Sequence, residues 1–222
     1  MTGPERIDPA GDELDDRDRW ATGRPEPVVA LEGDEIARQE MRRARRGDWR
    51  TTVPRAFWNA RLDDLEARSV HGDLVAWSEA DDPANLVLVG PVGVGKTHAA
   101  VAAVRPHFGG GASLVFVPVG EMLDRLDWRR PDSHQYLEAI MAVDVLVVDD
   151  LGTERPNEWT AERLYTIVNR RWLDGLPTVA TTNMEPSELA TELGERTYSR
   201  LVGGAVVLRL AGHDRRRADA QP

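Results

Sequence analysis

Eight consecutive residues, Gly90-Pro91-Val92-Gly93-Val94-Gly95-Lys96-Thr97, restrict this chain more than any others. They match G-x-x-x-x-G-K-[ST], a pattern that carries meaning only between a strand and a helix. Both flanks are present: Asn85-Leu86-Val87-Leu88-Val89 reads as a short buried strand, and His98-Ala99-Ala100-Val101-Ala102-Ala103-Val104 as an alanine-rich helix. Glycines let such a loop wrap so that its N–H groups and the helix N-terminus face an anion. Gly90 through His98 are therefore the expected nucleotide-binding residues. Lys96 is placed to reach the β- and γ-phosphates of ATP, and Thr97 to hold Mg²⁺.

Of the 28 basic residues, Lys96 is the single lysine; all the others are arginine. A bias toward GC-rich codons accounts for the arginines, but it does not account for a lysine kept at this one position. A compact, flexible ammonium suits a phosphate cradle better than a planar guanidinium. The net charge of −10 argues against coating nucleic acid by bulk electrostatics, so any DNA contact must be a local basic patch. There are no cysteines, and the five histidines show no metal-ligand spacing, which excludes a disulfide framework, a cysteine nucleophile and a zinc site. No apolar run reaches the ~18 residues of a membrane span. The N-terminus lacks a secretory layout, so a cytoplasmic protein with no membrane association is expected.

Residues 1–50 are dense in charge, Pro and Gly and read as a mostly disordered arm. Within it, Asp34–Arg46 is expected to form a short arginine-rich helix, either a solvated element or a contact for nucleic acid or a partner. Residues 51–212 read as one α/β domain and 213–222 as a charged tail. Val53–Trp58 forms an entry segment, and Leu62, Leu65, Val70, Leu74 and Trp77 anchor one or two helices. Five apolar runs then alternate with helical stretches, as in a parallel sheet: 86–89, 113–119, 145–148, 178–181 and 205–210.

Three more patterns carry chemistry. Val145-Leu146-Val147-Val148-Asp149-Asp150 ends a buried strand in two carboxylates at the sheet's C-terminal edge, where α/β ligands sit. Downstream of a phosphate loop, Asp149 is expected to hold Mg²⁺ and Asp150 to orient the attacking water. Thr178 to Asn183 ends a strand in an amide suited to sensing a γ-phosphate. Arg196 and Arg200 share one helix face and offer a guanidinium to a neighbouring subunit's phosphate.

These motifs, in this order, resemble the DnaC/IstB group of AAA+ ATPases, helicase loaders and transposition helpers. The resemblance runs from about Val53 to Arg216 and includes Val53-Pro54-Arg55-Ala56-Phe57, Asp150-Leu151-Gly152, Val168-Asn169-Arg170-Arg171 and Gly212-His213-Asp214-Arg215-Arg216. It implies a five-stranded sheet of order 5-1-4-3-2 without a C-terminal helical lid. It further implies that Lys96, Asp149, Asp150, Asn183 and Arg200 are catalytic, with Arg200 the finger that acts across a homo-oligomer interface. A replicative DNA helicase is the implied partner. The alternatives are a transposition helper and a non-catalytic ATP switch, the latter because Asp150 replaces a more usual glutamate. Single-stranded DNA contact in the group maps to the region holding Trp128-Arg129-Arg130, which reads either as a stacking and phosphate patch or as a solvated loop.

Overall fold

The computed structural model describes residues 48–65, 68–153, 157–212 and 214. The Asp34–Arg46 helix expected from sequence lies outside them, as does most of the tail.

The described chain opens with α1 (Trp49–Thr52), capped by Asp48, whose side chain accepts from Arg50 N–H. Two short 3₁₀ turns, Arg55–Phe57 and Leu62–Asp64, lead to α2 (Arg68–Glu79). Then follow β1 (Leu86–Val89), α3 (Lys96–Gly109), β2 (Leu114–Pro118), α4 (Val119–Arg125), α5 (Ser133–Ala142) and β3 (Val145–Leu151). The remainder is α6 (Glu158–Leu173), β4 (Thr178–Thr182), α7 (Pro186–Leu193), α8 (Glu195–Val202) and β5 (Val206–Arg209).

The five strands pair in parallel in the order β2-β3-β4-β1-β5, which is the expected 5-1-4-3-2 seen from the other edge. Strands covered on both faces need apolar residues at every position rather than at alternate ones. Accordingly β1 (LVLV) and β4 (TVATT) are buried throughout. One face packs on α2, α3 and the entry segment, through Leu74, Trp77, Ala100, Val104 and Leu88. The other packs on α4 through α8, through Met122, Ile140, Ile167, Leu189 and Leu201.

β3 runs three residues beyond the expected 145–148, carrying Asp149, Asp150 and Leu151 into the strand. Its register against β4 shifts between Val148 and Leu151, and Asp150 adopts φ 58°, the one positive φ among described non-glycine residues. That irregularity is a bulge, which re-aims a side chain at a sheet edge.

Arg171 of α6 is fully buried. Its guanidinium donates to Ile140 O (3.0 Å), Val143 O (2.7 Å), Pro177 O (2.7 Å) and Thr178 Oγ1 (3.1 Å). The first two of these carbonyls close the C-terminal end of α5, where a cation complements the helix dipole. Burial lowers the guanidinium pKa to about 9, so the group is charged at neutral pH.

His107, near the end of α3, packs edge-on against Trp77 (centroids 5.1 Å), and burial lowers its pKa against a smaller opposing effect from a Trp77 backbone hydrogen bond. A folded pKa below 6.5 means the unfolded chain takes up this proton first as pH falls. His107 should therefore cost stability progressively as pH drops through and below 6.5, and nothing well above it. Urea denaturation of wild type and His107→Phe between pH 7.5 and 5.5 checks this. The gap between the two should move in favour of the variant on acidification, whereas a constant gap would refute the assignment.

Candidate nucleotide site

β1 delivers the chain into the 90–95 loop, and α3 begins at Lys96. Among the loop glycines whose backbones other residues resist are Gly93 at φ 79° and Gly95, the N-cap of α3, at φ 99°. A Cβ at Gly93 would also collide with Asp214, whose carboxylate and Cα lie against it. Helices α1 and α6 have side-chain caps in Asp48 and Asn157, whereas α3, like α4, α5 and α8, has none. The N-cap of α3 is a glycine with no side chain to offer, and a helix N-terminus begun in this way suits an anion.

Lys96 is 5% exposed. Its Nζ donates to Gly90 O and Pro91 O, both at 2.9 Å, and to Asn183 Oδ1 at 2.5 Å. Thr97 Oγ1 donates to Asp149 Oδ1 at 2.9 Å. Because β4 lies between β1 and β3, its C-terminal end brings Asn183 to the loop and to the aspartate pair. Sequence places these residues far apart, and the sheet gathers Lys96, Thr97, Asp149 and Asn183 within direct hydrogen bonds. Asp150 follows Asp149 with an exposed side chain, while His98 Nε2 lies 3.0 Å from Arg61 O. Of the other loop residues, Pro91 and Val92 are exposed and Val94 is buried in the core.

Asp149 is 8% exposed, and burial raises its pKa above the ordinary carboxylate range. The hydroxyls of Thr181 and Thr97 and the nearby Lys96 pull the other way, while Asp150 adds to the rise. A hydroxyl beside a carboxylate offers hard oxygen ligands, the donor set of Mg²⁺, which completes its shell with water and phosphate.

Thr181 is a site residue that no sequence motif marks. Fully buried on β4, its Oγ1 donates to Asp149 Oδ1 at 2.7 Å and accepts from Asp150 N–H at 3.0 Å, gripping both members of the pair. In sequence it is one threonine of three in the TVATT strand, and only the β3–β4 register reveals it. Thr181→Val keeps the shape and removes the hydroxyl. If the site hydrolyses a nucleotide, the change should lower that turnover by on the order of tenfold to a hundredfold, as the loss of an orienting contact does, while Thr181→Ser restores most of it. Steady-state kinetics of the two variants would tell, and equal loss in both would sink the positioning role.

The arginines on α8 are not part of this cluster. Arg200 lies over the rings of Tyr165 (5.4 Å) and Trp172 (5.3 Å), with Nε donating to Asn169 Oδ1 at 2.5 Å and Nη1 to Arg196 O at 3.3 Å. Arg196 is exposed. Trp128 is 80% exposed, but Arg129 is paired with Asp127, whose pKa this holds down at about 2, and Arg130 Nε donates to Asp124 O at 2.8 Å.

The sheet order, the glycine loop and the strand-end carboxylates define an AAA+ P-loop nucleotide-binding fold. The model of the IstB-like ATP-binding proteins matches residues 34–216, and the chain belongs to that family. An ATP-binding protein of a Mycobacterium tuberculosis insertion sequence is 30% identical over 171 residues, covering 74% of this chain and 68% of the relative. The replicative helicase loader DnaC of Escherichia coli is 28% identical over 122 residues, covering 53% of this chain and 50% of that protein. Among solved structures, a DnaC helicase loader superposes with TM-score 0.65 at 26% identity, covering 71% of this chain and all of that one. DnaI superposes with TM-score 0.64 at 25% identity, covering 73% and 94%. Among the described residues, no helix is long and apolar enough to cross a membrane.

Proposed function

We propose that this chain binds ATP with Mg²⁺ and hydrolyses it to remodel or load a replicative helicase on DNA. The observation carrying the ATPase reading is the convergence of Lys96, Thr97, Asp149 and Asn183 through direct hydrogen bonds at one sheet edge. In this reading Lys96 meets the β- and γ-phosphates, with Asn183 beside the γ-phosphate. Thr97 and Asp149 would hold Mg²⁺, and the ion would supply neutralisation of charge developing on the phosphates. Asp150 accepts a hydrogen bond from the attacking water. Arg200, with Arg196 beside it, is the finger offered to a neighbouring subunit of a homo-oligomer. Arg196 is exposed, while Arg200 would have to leave its bed on Tyr165 and Trp172 to reach across. Trp128, Arg129 and Arg130 are the candidate contact for single-stranded DNA.

Asp150→Asn isolates the carboxylate, because asparagine tolerates the left-handed backbone as well as aspartate does. Nucleotide affinity should stay within about threefold while turnover falls on the order of a hundredfold, since loss of a general base is worth about that much. Unchanged turnover would remove Asp150 from the water-positioning role, whereas nucleotide binding without turnover in wild type would support a switch that does not use hydrolysis.

The helicase reading is supported by the overlay on the full length of a DnaC helicase loader structure. Transposition is a second reading, favoured by the family model and by the insertion-sequence relative. Co-purification of the full chain with the helicase or the transposase of its own genome discriminates them. Retention of a transposase and not a helicase would overturn the loader assignment.

A further inference from the structure

On a chain of net charge −10, residues 36–61 carry eight arginines against two acids, Glu40 and Asp48. The described part of that run builds a cationic face on two pinned indoles. Trp49 Nε1 donates to Trp58 O at 3.0 Å, Trp58 Nε1 donates to Val53 O at 2.9 Å, and the Trp49 ring packs on Phe108 of α3. Three guanidiniums stand around these rings. Arg50 and Arg55 lie 5.4 and 6.0 Å from the Trp58 centroid, and Arg105 lies 5.3 Å from that of Trp49. Arg105 Nη1 also donates to Trp58 O at 2.9 Å and to Ala60 O at 3.3 Å. Exposed Arg61 follows, its backbone carbonyl facing His98.

Some surface arginines are neutralised, Arg129 by Asp127, Arg170 by Asp174 and Arg209 by Glu185, while Arg125, Arg130 and Arg196 are exposed without the paired indoles. Arg50, Arg55 and Arg61 are exposed and form no ion pair with a described carboxylate. Of the acids close in sequence, Asp48 accepts from the Arg50 backbone N–H rather than from a guanidinium, and Asp63, two residues beyond Arg61, lies against His71. Like charges held together by aromatic faces, with no ion pair to a described carboxylate, create a local field that an external polyanion relieves. Cations interleaved with half-buried indoles suit a phosphodiester strand.

We propose that Arg50, Arg55, Arg61 and Arg105, with Trp58, form a nucleic-acid contact surface that engages the phosphate backbone of DNA, separate from the nucleotide site and from Trp128. It deepens the DNA-linked reading above, but needs no ATP hydrolysis.

The test is fluorescence anisotropy of the full chain with a labelled oligothymidine and a labelled duplex, over a salt series. Arg50→Gln/Arg55→Gln/Arg61→Gln should weaken binding to one or both at least about tenfold, and flatten the salt dependence on single strands by about 2 in log–log slope. The oligonucleotide showing the larger loss identifies the form the face engages. The matching triple lysine variant should keep most of the slope, separating charge from damage to the fold. Arg129→Gln/Arg130→Gln serves as the competing patch. The proposal is overturned if wild type binds neither DNA at low salt, or if the triple glutamine variant keeps wild-type affinity and slope. It is also overturned if polyglutamate displaces the oligonucleotide as well as unlabelled DNA does, since the face would then serve an acidic protein. ATP turnover without DNA, measured on the same glutamine variant, should be unchanged. Failure of turnover in wild type would count against the ATPase reading alone.

Discussion

Replacing Lys96 with arginine is expected to cut ATP turnover on the order of a hundredfold to a thousandfold, although the charge is conserved. Loss of one preorganised donor to a developing charge has that size. The reason lies in the pocket. Lys96 is 5% exposed, and its ammonium satisfies three acceptors in different directions, Gly90 O, Pro91 O and Asn183 Oδ1. A tetrahedral ammonium spreads three donors around one nitrogen, whereas a guanidinium presents its donors in a plane at the end of a wider group. Lys96→Ala should be at least as severe. Turnover measured with a coupled phosphate assay, beside a melting curve to verify folding, decides it. A Lys96→Arg protein hydrolysing ATP within about threefold of wild type would show that the single lysine is an accident of composition.

The largest expected loss of stability belongs to Arg171→Met, at about 3–5 kcal/mol, the scale of removing one partner from a buried polar network. Methionine replaces the apolar stem but no donor. Ile140 O, Val143 O, Pro177 O and the Thr178 hydroxyl would then lose the guanidinium that serves them. Each buried acceptor left unpaired costs about 1–3 kcal/mol, relieved in part where water can enter. For a chain of this size each kcal/mol lowers the melting temperature by about 2–4 °C, so a fall of about 10 °C is expected. Arg171→Lys should recover only a fraction, since one ammonium cannot reach acceptors on α5, the β3 approach and β4 together. A melting temperature within about 2 °C of wild type for Arg171→Met would mean that the network is dispensable.

These residues show what sequence reveals and what it hides. Gly90 to Thr97 was legible because its chemistry is contiguous, and glycine spacing, lysine and hydroxyl all fall within one loop. The strands were legible because burial on both faces leaves uninterrupted apolar runs, as in Val145 to Val148. Asp149, Asp150 and Asn183 could be found because each ends such a run, and strand ends gather at one edge of a parallel sheet. Thr181 and Arg171 were not legible in their roles. Each acts across the fold, on β3 or α5, and a threonine in a strand or an arginine among 27 carries no local mark of that work. Arg200 was found as a motif, but its bed between Tyr165 and Trp172 depends on how α8 packs on α6. The arginine–indole face was masked by bulk composition, because an acidic total conceals a local cationic segment.

The left-handed backbone at Asp150 also bears on which residues the position can accept. Aspartate and asparagine enter that region more readily than longer side chains do, because their short polar groups bond locally. Lengthening the side chain to glutamate would extend its reach while taxing the bulge that aims it. The shorter acid here is then a choice made by the main chain before the reaction has any say. Variation at this position should track the curvature of the strand end, so that aspartate accompanies the bulge and glutamate a strand that finishes straight.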